Sequence, residues 1–278
     1  ILTGTGTVNG AITLADGSGI SPGNSVGTLT TSNETWMGGA SLHVEMTNPT
    51  GTAGTGWDLL TVSGTLTLDA STSSENPIII RLSAPTLSFA SRQSQSWRIA
   101  SMTAISGTFD SGKFSVDATA FAASNPLDGG TFTVSLTPNN NLYLNFIAVP
   151  YTALENWRIT HFGIAANEGD GADDFDHDSD SLVNLLEYAL DSDPKISGGS
   201  PLTLGKTLDG TKLTITFNRI ADPLLTYSVE ATHDLQSGPW GSIWSSTGPS
   251  NTTGPETVED TQTISAQSGR FLRLRVSY

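Results

Sequence analysis

The chain has 278 residues, of which 36% are hydrophobic and 14% are charged, and this length accommodates two modest domains or one extended fold plus a module. Its net charge of −15 disfavours nucleic acid and anionic membrane surfaces as partners, because both carry negative charge. The absence of cysteine excludes thiol catalysis and disulfides, and no apolar run approaches the roughly 20 residues needed for membrane insertion.

Charge divides the sequence into three segments, residues 1–150, 151–199 and 200–278. The middle segment is short, yet it carries 11 acidic and only 2 basic residues. The chain opens at Ile1, inside a patterned Thr/Gly run and without a signal peptide. We therefore expect a processed product or a fragment of a longer protein.

The first segment alternates apolar and polar residues in short runs, such as Leu42–Met46 and Leu142–Phe146. A period of two predicts half-buried strands. Several runs open with a glycine followed by a small residue, at Gly10, Gly27, Gly39 and Gly64. A β-solenoid with one such strand in each turn explains this repeat. The irregular spacing leaves an ordinary β-sandwich as the alternative.

The run from Gly23 to Gly27 has the G-x-S-x-G spacing of a serine-hydrolase nucleophile elbow, with Ser25 as the serine. Such an elbow requires a buried strand before the serine and a helix after it. Here Pro22 precedes the motif, and strand-forming residues follow it at Thr28–Thr30. We interpret Ser25 as a turn residue, and we expect no catalytic residues in the chain.

Two runs, Gly4–Gly10 and Ile20–Leu29, resemble the autotransporter-associated β-strand repeats of bacterial surface proteins. Those repeats carry a G-T-G-x-V-x-G turn and an S-P-G-N-S-x-G-T-L strand. Further similar runs are Trp57–Gly64, Ser96–Ile99 and Ile105–Phe109. The resemblance spans about residues 1–150. It implies a right-handed β-helix-like passenger segment, secreted or displayed at the bacterial cell surface, with no catalytic residues of its own.

The middle segment begins with a predicted helix over residues 152–164, for which Thr152 and Glu155 fit a capping box. An acidic stretch follows, with the pattern D-x-D-x-D-S-x₅-E. A calcium loop takes oxygen ligands at positions 1, 3, 5, 7, 9 and 12. The ligands predicted by this spacing are Asp176, Asp178, Asp180, the Leu182 carbonyl, Asn184 (directly or through water) and Glu187. A solvated acidic loop is the alternative.

Position 6 of this loop, normally a glycine in a left-handed conformation, is Ser181. We expect it to cost about 1 kcal/mol of backbone strain and to weaken calcium affinity without removing the site. Asp174, together with Asp173, is a candidate ligand for a second ion. An apolar helical face follows the loop and ends at Asp193-Pro194.

The block Asp176–Leu190 resembles a calcium-loop-plus-helix of bacterial secreted proteins, related in pattern to dockerin and thrombospondin type 3 repeats. Cohesin binding would require two such loops, and one is evident. The resemblance therefore implies a joint between the flanking segments that becomes rigid when calcium binds.

The last segment returns to a period of two, as in Leu213–Phe217 and Tyr227–Ala231. This pattern predicts a small antiparallel β-sandwich of the immunoglobulin or fibronectin kind. Trp240 and Trp244 are candidates for stacking on sugar rings, and packing in the core is the alternative.

Together these segments predict a mainly β, non-enzymatic, extracellular structural or surface protein. The first strand, Ile1–Gly4, has no evident cap, and open strand edges can join copies head to tail into a fibre or surface layer. Truncation would leave the same edge. A polysaccharide-binding or adhesin module of a larger secreted protein or enzyme is the second interpretation. A β-helical lyase or hydrolase is the third, but the first segment has only 4 basic residues and no evident acid–base set.

Overall fold

Strands make up 43% of the structure and helices 12%, so the protein is mainly β, as the alternating sequence pattern predicts. The structure is a computed structural model that describes residues 1–198, 200–266 and 269–278. It comprises two compact units, Ile1–Pro150 and Tyr151–Tyr278. Residues 151–199, for which the sequence predicts a joint of its own, therefore belong to the same unit as residues 200–278.

Thirteen described strands and one short helix form the first unit. The strands are β1 (Leu2–Gly4), β2 (Gly6–Val8), β3 (Ile12–Leu14), β4 (Gly19–Pro22), β5 (Thr28–Thr31), β6 (Glu34–Trp36), β7 (Ser41–Glu45), β8 (Leu59–Leu68), β9 (Ile78–Ser83), β10 (Gln95–Ser106), β11 (Phe114–Asp117), β12 (Thr131–Leu136) and β13 (Asn141–Ile147). Helix α1 (Thr119–Ala122) lies between β11 and β12.

These strands form two sheets. The first sheet has the order β1-β4-β7-β9-β11, and all its neighbouring strands are parallel. In the second sheet β2, β5, β8 and β10 are parallel, and the hairpin β12-β13 then pairs antiparallel to β10. Strand β3 pairs with β6, and β6 also pairs with the second half of β8.

The register of the first sheet stacks apolar residues in one row. Leu2 pairs with Ile20, Ile20 with Leu42, Leu42 with Ile80, and Ile80 with Val116. Since side chains alternate between the faces of a strand, this row lies on one face of the sheet. Its three middle members are fully buried in a core shared with the second sheet.

The second unit combines two helices with two small antiparallel sheets. Its elements are α2 (Ala153–Phe162), α3 (Asn184–Leu190), β14 (Leu202–Lys206), β15 (Lys212–Arg219), β16 (Thr226–Thr232), β17 (Gly241–Thr247), β18 (Gly254–Thr263) and β19 (Phe271–Ser277). The sheet orders are β14-β15-β18 and β17-β16-β19. The predicted capping box of α2 is confirmed: Thr152 Oγ1 accepts from the Glu155 N–H, and Glu155 accepts from the Thr152 N–H.

One core joins the helices of the second unit to its sheets. Leu154 of α2 and Leu190 of α3 are buried with Phe217, Tyr227 and Val229 of the strands. The helices and the sheets therefore stabilise each other through shared apolar burial. Among the described helices, none is both long and apolar enough to cross a membrane.

Candidate metal site

The acidic loop of the second unit gathers three carboxylates at one point. One oxygen from each of Asp176, Asp178 and Asp180 lies within 4.8 Å of the others. Backbone amides of the same loop hold these side chains. The Asp180 N–H donates to Asp176 Oδ1 at 3.2 Å, and the Ser181 N–H donates to Asp176 Oδ2 at 2.9 Å. The sequence spacing therefore brings together three of the predicted ligands.

Two residues of the loop have a left-handed backbone, with φ of 63° at Ser179 and 78° at Ser181. The conformation at Ser181 is the one predicted for position 6 of the loop. A β-carbon is strained there, at a cost of about 1 kcal/mol or more. The loop retains this strain because its amides are bound to its own carboxylates.

Helix α3 contributes the other two predicted side chains, Asn184 and Glu187, which are 0% and 1% exposed. The Asn184 amide Nδ2 donates to the carbonyls of Asp170 at 2.8 Å and Ala172 at 2.7 Å. These bonds tie the first turn of α3 to the turn that precedes the acidic loop. Because both bonds use Nδ2, the side-chain oxygen Oδ1 remains available as an acceptor.

Three buried oxygens in this region have no hydrogen-bond partner among the described residues. They are Asp178 Oδ2, Asn184 Oδ1 and Glu187 Oε2. A buried polar atom without a partner costs about 1–3 kcal/mol, and such atoms are rare in folded proteins. Asp178 Oδ2 lies on the acidic loop and the other two oxygens lie on α3, and all three are acceptors that a cation would satisfy.

The electrostatics of Glu187 lead to the same conclusion. Burial, followed by the negative charges of Asp178, Asp180 and Asp176, raises the pKa of Glu187 to about 7. Without a cation, the four carboxylates repel one another. A cation with several oxygen ligands would remove this repulsion and would use the unpartnered oxygens.

The remaining predicted ligands are placed differently. Asp174 is exposed, and it lies outside the group of three carboxylates, as Glu187 does. Asp173, its proposed partner for a second ion, accepts from Arg158 at 2.6 Å and from Asn167 at 3.0 Å. The N–H of Leu182 donates to Asp180 Oδ1 at 2.9 Å.

Sequence reasoning missed Arg158, which is 6% exposed and also donates to the Ala165 carbonyl. The signal was available: a single arginine occurs in a helix that immediately precedes an acid-rich stretch. Its ion pair with Asp173 holds that carboxylate, which lies outside the group of three aspartates.

The two candidate tryptophans differ in their surroundings. Trp244 packs against the core, with its ring centroid 5.9 Å from that of Phe217. Trp240 lines a cleft of about 300 Å³ together with Leu204, Leu213 and Phe271. The Arg273 guanidinium lies 4.1 Å from the Trp240 ring centroid.

Ser25, in the G-x-S-x-G motif, is exposed, and its Oγ donates to Glu45 Oε1 at 3.5 Å. The nearby histidine, His43, instead has its Nε2 3.2 Å from Ser41 Oγ. The residue after the motif begins β5 rather than a helix. This geometry agrees with the interpretation of Ser25 as a turn residue.

Comparisons with protein-family models, with curated proteins and with solved structures found no match.

Proposed function

We propose that the chain is a non-enzymatic extracellular structural or surface protein whose second unit is stabilised by calcium. The observation that carries the calcium site is the set of three buried, unpartnered oxygens, on Asp178, Asn184 and Glu187, around the acidic loop. Asp176 and Asp180 supply further carboxylate oxygens, and the Leu182 carbonyl takes position 7 of the loop pattern.

Calcium suits this donor set better than other common ions. All the available donors are oxygens, which hard cations prefer, whereas zinc and copper favour nitrogen and sulfur. Calcium accepts six to eight such ligands in flexible geometry, while magnesium requires a near-ideal octahedron and retains water. Four carboxylates and one amide oxygen, supplied by an irregular loop and by α3, match the calcium requirement.

Bound calcium would act on the whole second unit through α3. Asn184 and Glu187 lie on the same helix as Tyr188 and Leu190, which are buried against the sheets. An ion that holds the first two residues therefore restricts the helix whose other side forms part of the core. This is the rigidifying role that we propose for calcium.

The architecture supports a structural role. We propose that the first unit is a β-solenoid, because parallel strands stack in register along two sheets with a continuous core. We propose that the second unit contains a β-sandwich, because two antiparallel sheets share one core. A secreted or surface-displayed location follows from the resemblance of the first segment to autotransporter-associated repeats.

Self-association into a fibre or layer is the remaining part of the proposal. In the described chain, β14 pairs with β15 alone, and Leu204 at its centre is 68% exposed. An exposed edge strand with an apolar residue is a template for pairing with another copy. If the contact does not close into a ring, repetition produces a filament.

Two measurements test this proposal. Calorimetric titration of the metal-free chain with calcium should show binding, and magnesium at the same concentration should not replace it. Negative-stain images should show ordered assemblies in millimolar calcium that loosen or shorten after chelation. Absence of calcium binding would contradict the metal site, and dispersed particles under both conditions would contradict the fibre.

A second candidate function is glycan binding at Trp240, supported by the cleft that this residue lines. The aromatic ring could stack on a sugar while Leu213 and Phe271 exclude water. Loss of glycan binding in Trp240→Ala, but not in Trp244→Ala, would support this function.

A further inference from the structure

The outer face of the first sheet carries a row of polar side chains. Thr3 pairs in register with Ser21, His43 with Arg81, and Arg81 with Asp117. Ile20 of β4 pairs with Leu42 of β7, and Ser21 and His43 are the next residues on these strands. The row therefore takes one residue from each of the five strands. We call it the polar row. Strand spacing places its members about 4.7–4.9 Å apart.

The charged end of the polar row opens into a cleft of about 460 Å³. Arg81, Asp117 and His43 line one side, and Thr119 and Ala120 of α1 line the other. Clefts of this size, with a few convergent polar groups and some apolar wall, are typical small-ligand sites.

The polar groups of this cleft are hydrogen-bonded to one another and to the start of α1. Arg81 Nη1 donates to Asp117 Oδ2 at 2.8 Å. Asp117 Oδ1 accepts from the Thr119 N–H at 3.2 Å. Hydrogen bonds from Thr119, and then the charge of Arg81, lower the pKa of Asp117, so its carboxylate is charged. Burial, and then Arg81, lowers the pKa of His43, so its ring is neutral at pH 7.

This set of groups favours an uncharged, hydroxyl-rich ligand. The guanidinium only donates hydrogen bonds and the carboxylate only accepts them, while the neutral imidazole offers Nδ1, since its Nε2 lies 3.2 Å from Ser41 Oγ. An anion in the cleft would be repelled by Asp117, and a cation would be repelled by Arg81. The Arg81–Asp117 ion pair therefore gives neither kind of ligand a net electrostatic attraction. Hydroxyl groups can satisfy all three side chains, and Ala120 offers an apolar contact for C–H groups.

We propose that the cleft between the first sheet and α1 binds a neutral polysaccharide whose chain follows the polar row. A polymer lying across the strands meets one polar side chain at each strand, from Asp117 towards Thr3. This site lies in the first unit and goes beyond the proposed calcium-dependent role of the second unit.

Affinity electrophoresis of the full chain tests the proposal. Native gels would each contain one soluble polysaccharide: β-glucan, galactomannan or xylan as neutral polymers, and polygalacturonate as the acidic one. We expect at least one neutral polymer to retard the protein. Arg81→Gln should weaken that interaction about tenfold, because a charged donor is lost.

Controls separate this site from other effects. Ala120→Phe fills the cleft without removing a hydrogen bond, so it should weaken polysaccharide binding about as much as Arg81→Gln does. If Arg81→Gln folds poorly, Ala120→Phe alone tests the cleft. Arg275→Gln, at an arginine whose side chain is 67% exposed, is the matched charge control and should bind normally.

The proposal is overturned if no neutral polymer retards the chain, or if polygalacturonate alone does. It is equally overturned if Arg81→Gln and Ala120→Phe, both folded by their melting curves, bind as the unmodified chain does. Loss of binding in Trp240→Ala with retention in both cleft variants would assign the glycan to the second unit.

Discussion

Tyr188 donates a hydrogen bond from its hydroxyl to Asp222 Oδ2 at 2.5 Å, and both residues are 6% exposed. Tyr188 lies on α3, directly after the predicted calcium ligand Glu187, and Asp222 lies between β15 and β16. Burial, and then the bond to Asp222, raises the pKa of Tyr188, so the hydroxyl remains a donor. This bond connects the helix of the acidic loop to the sheets of the second unit.

Tyr188→Phe should therefore destabilise the second unit by about 1–3 kcal/mol, because the buried Asp222 carboxylate loses a donor. Asp222 would keep its bond from the Leu224 N–H at 2.9 Å, so it would not be wholly unpaired. Urea unfolding measures the change. Tyr143→Phe removes the hydroxyl of a half-buried tyrosine of the first unit and is the control. Equal stability of Tyr188→Phe and the unmodified chain would contradict the prediction.

Calcium should raise the melting temperature of the second unit, and Glu187→Gln should abolish most of that increase. A site that binds the folded state alone adds about 2.7 kcal/mol when calcium is at 100 times its dissociation constant. Differential scanning calorimetry with and without chelator measures the shift. Asp174→Asn removes an exposed carboxylate that is not among the charges acting on Glu187, so its calcium response should match the unmodified chain. An undiminished response in Glu187→Gln would exclude this residue as a ligand.

Ser181→Gly should stabilise the second unit by about 1 kcal/mol and tighten calcium binding, because the φ of 78° at this position strains a β-carbon. The larger entropy of glycine in the unfolded chain offsets part of this gain. Ser181→Ala retains the β-carbon and is the matched control, with no expected gain. Calorimetric titration and urea unfolding measure the two effects. A calcium affinity for Ser181→Gly below that of Ser181→Ala would be inconsistent with strain relief.

Local patterns in the sequence predict the strands and the acidic loop but not their long-range partners. The alternation at Leu42–Met46 corresponds to β7, and the run of aspartates closes into a cluster as its spacing predicts. Each is set by residues close together in the chain. The bond from Tyr188 to Asp222 joins residues 34 positions apart, so no short pattern reveals it. The same reason explains why residues 151–199 look separate in sequence but share a core with the last segment.

A pH dependence of the first unit is expected from Asp58, which is 1% exposed. Its carboxylate accepts from the Gly27 N–H, just before β5, and from the Glu45 N–H on β7, both at 2.8 Å. It thereby connects the two sheets. Burial outweighs these two bonds and raises the pKa of Asp58 to about 6.

Because its pKa is higher in the folded state, Asp58 contributes most to stability below pH 3.8, its ordinary pKa. That contribution is lost as the pH rises through about 6. A shift of roughly two units corresponds to at most about 3 kcal/mol. Urea unfolding at a series of pH values should show this loss, and the slope should decrease in Asp58→Asn. The other carboxylates titrate equally in the unmodified chain and in Asp58→Asn. If the free energy of unfolding had the same pH dependence in both, the assignment to Asp58 would be contradicted.

The turn that contains Ser25 depends on its first glycine rather than on its serine. Gly23 has a φ of 87°, and a β-carbon there would lie 1.8 Å from the Ser25 carbonyl oxygen. Its N–H donates to the Gly4 carbonyl at 2.7 Å, and its own carbonyl accepts from the Gly4 N–H at 3.1 Å. The turn is therefore bonded to the end of β1.

Gly23→Ala should cost more than about 2 kcal/mol, since both the backbone conformation and the space exclude a side chain. Ser25→Ala should change stability by no more than about 0.5 kcal/mol, because Ser25 is exposed and its hydroxyl makes one long contact. Thermal unfolding of the two variants provides the comparison. If the chain hydrolysed an ester substrate and Ser25→Ala abolished that activity, Ser25 would instead be a nucleophile. If both substitutions instead had the same small effect on stability, the turn would tolerate a β-carbon at Gly23. Its bonds to Gly4 would then not depend on the glycine.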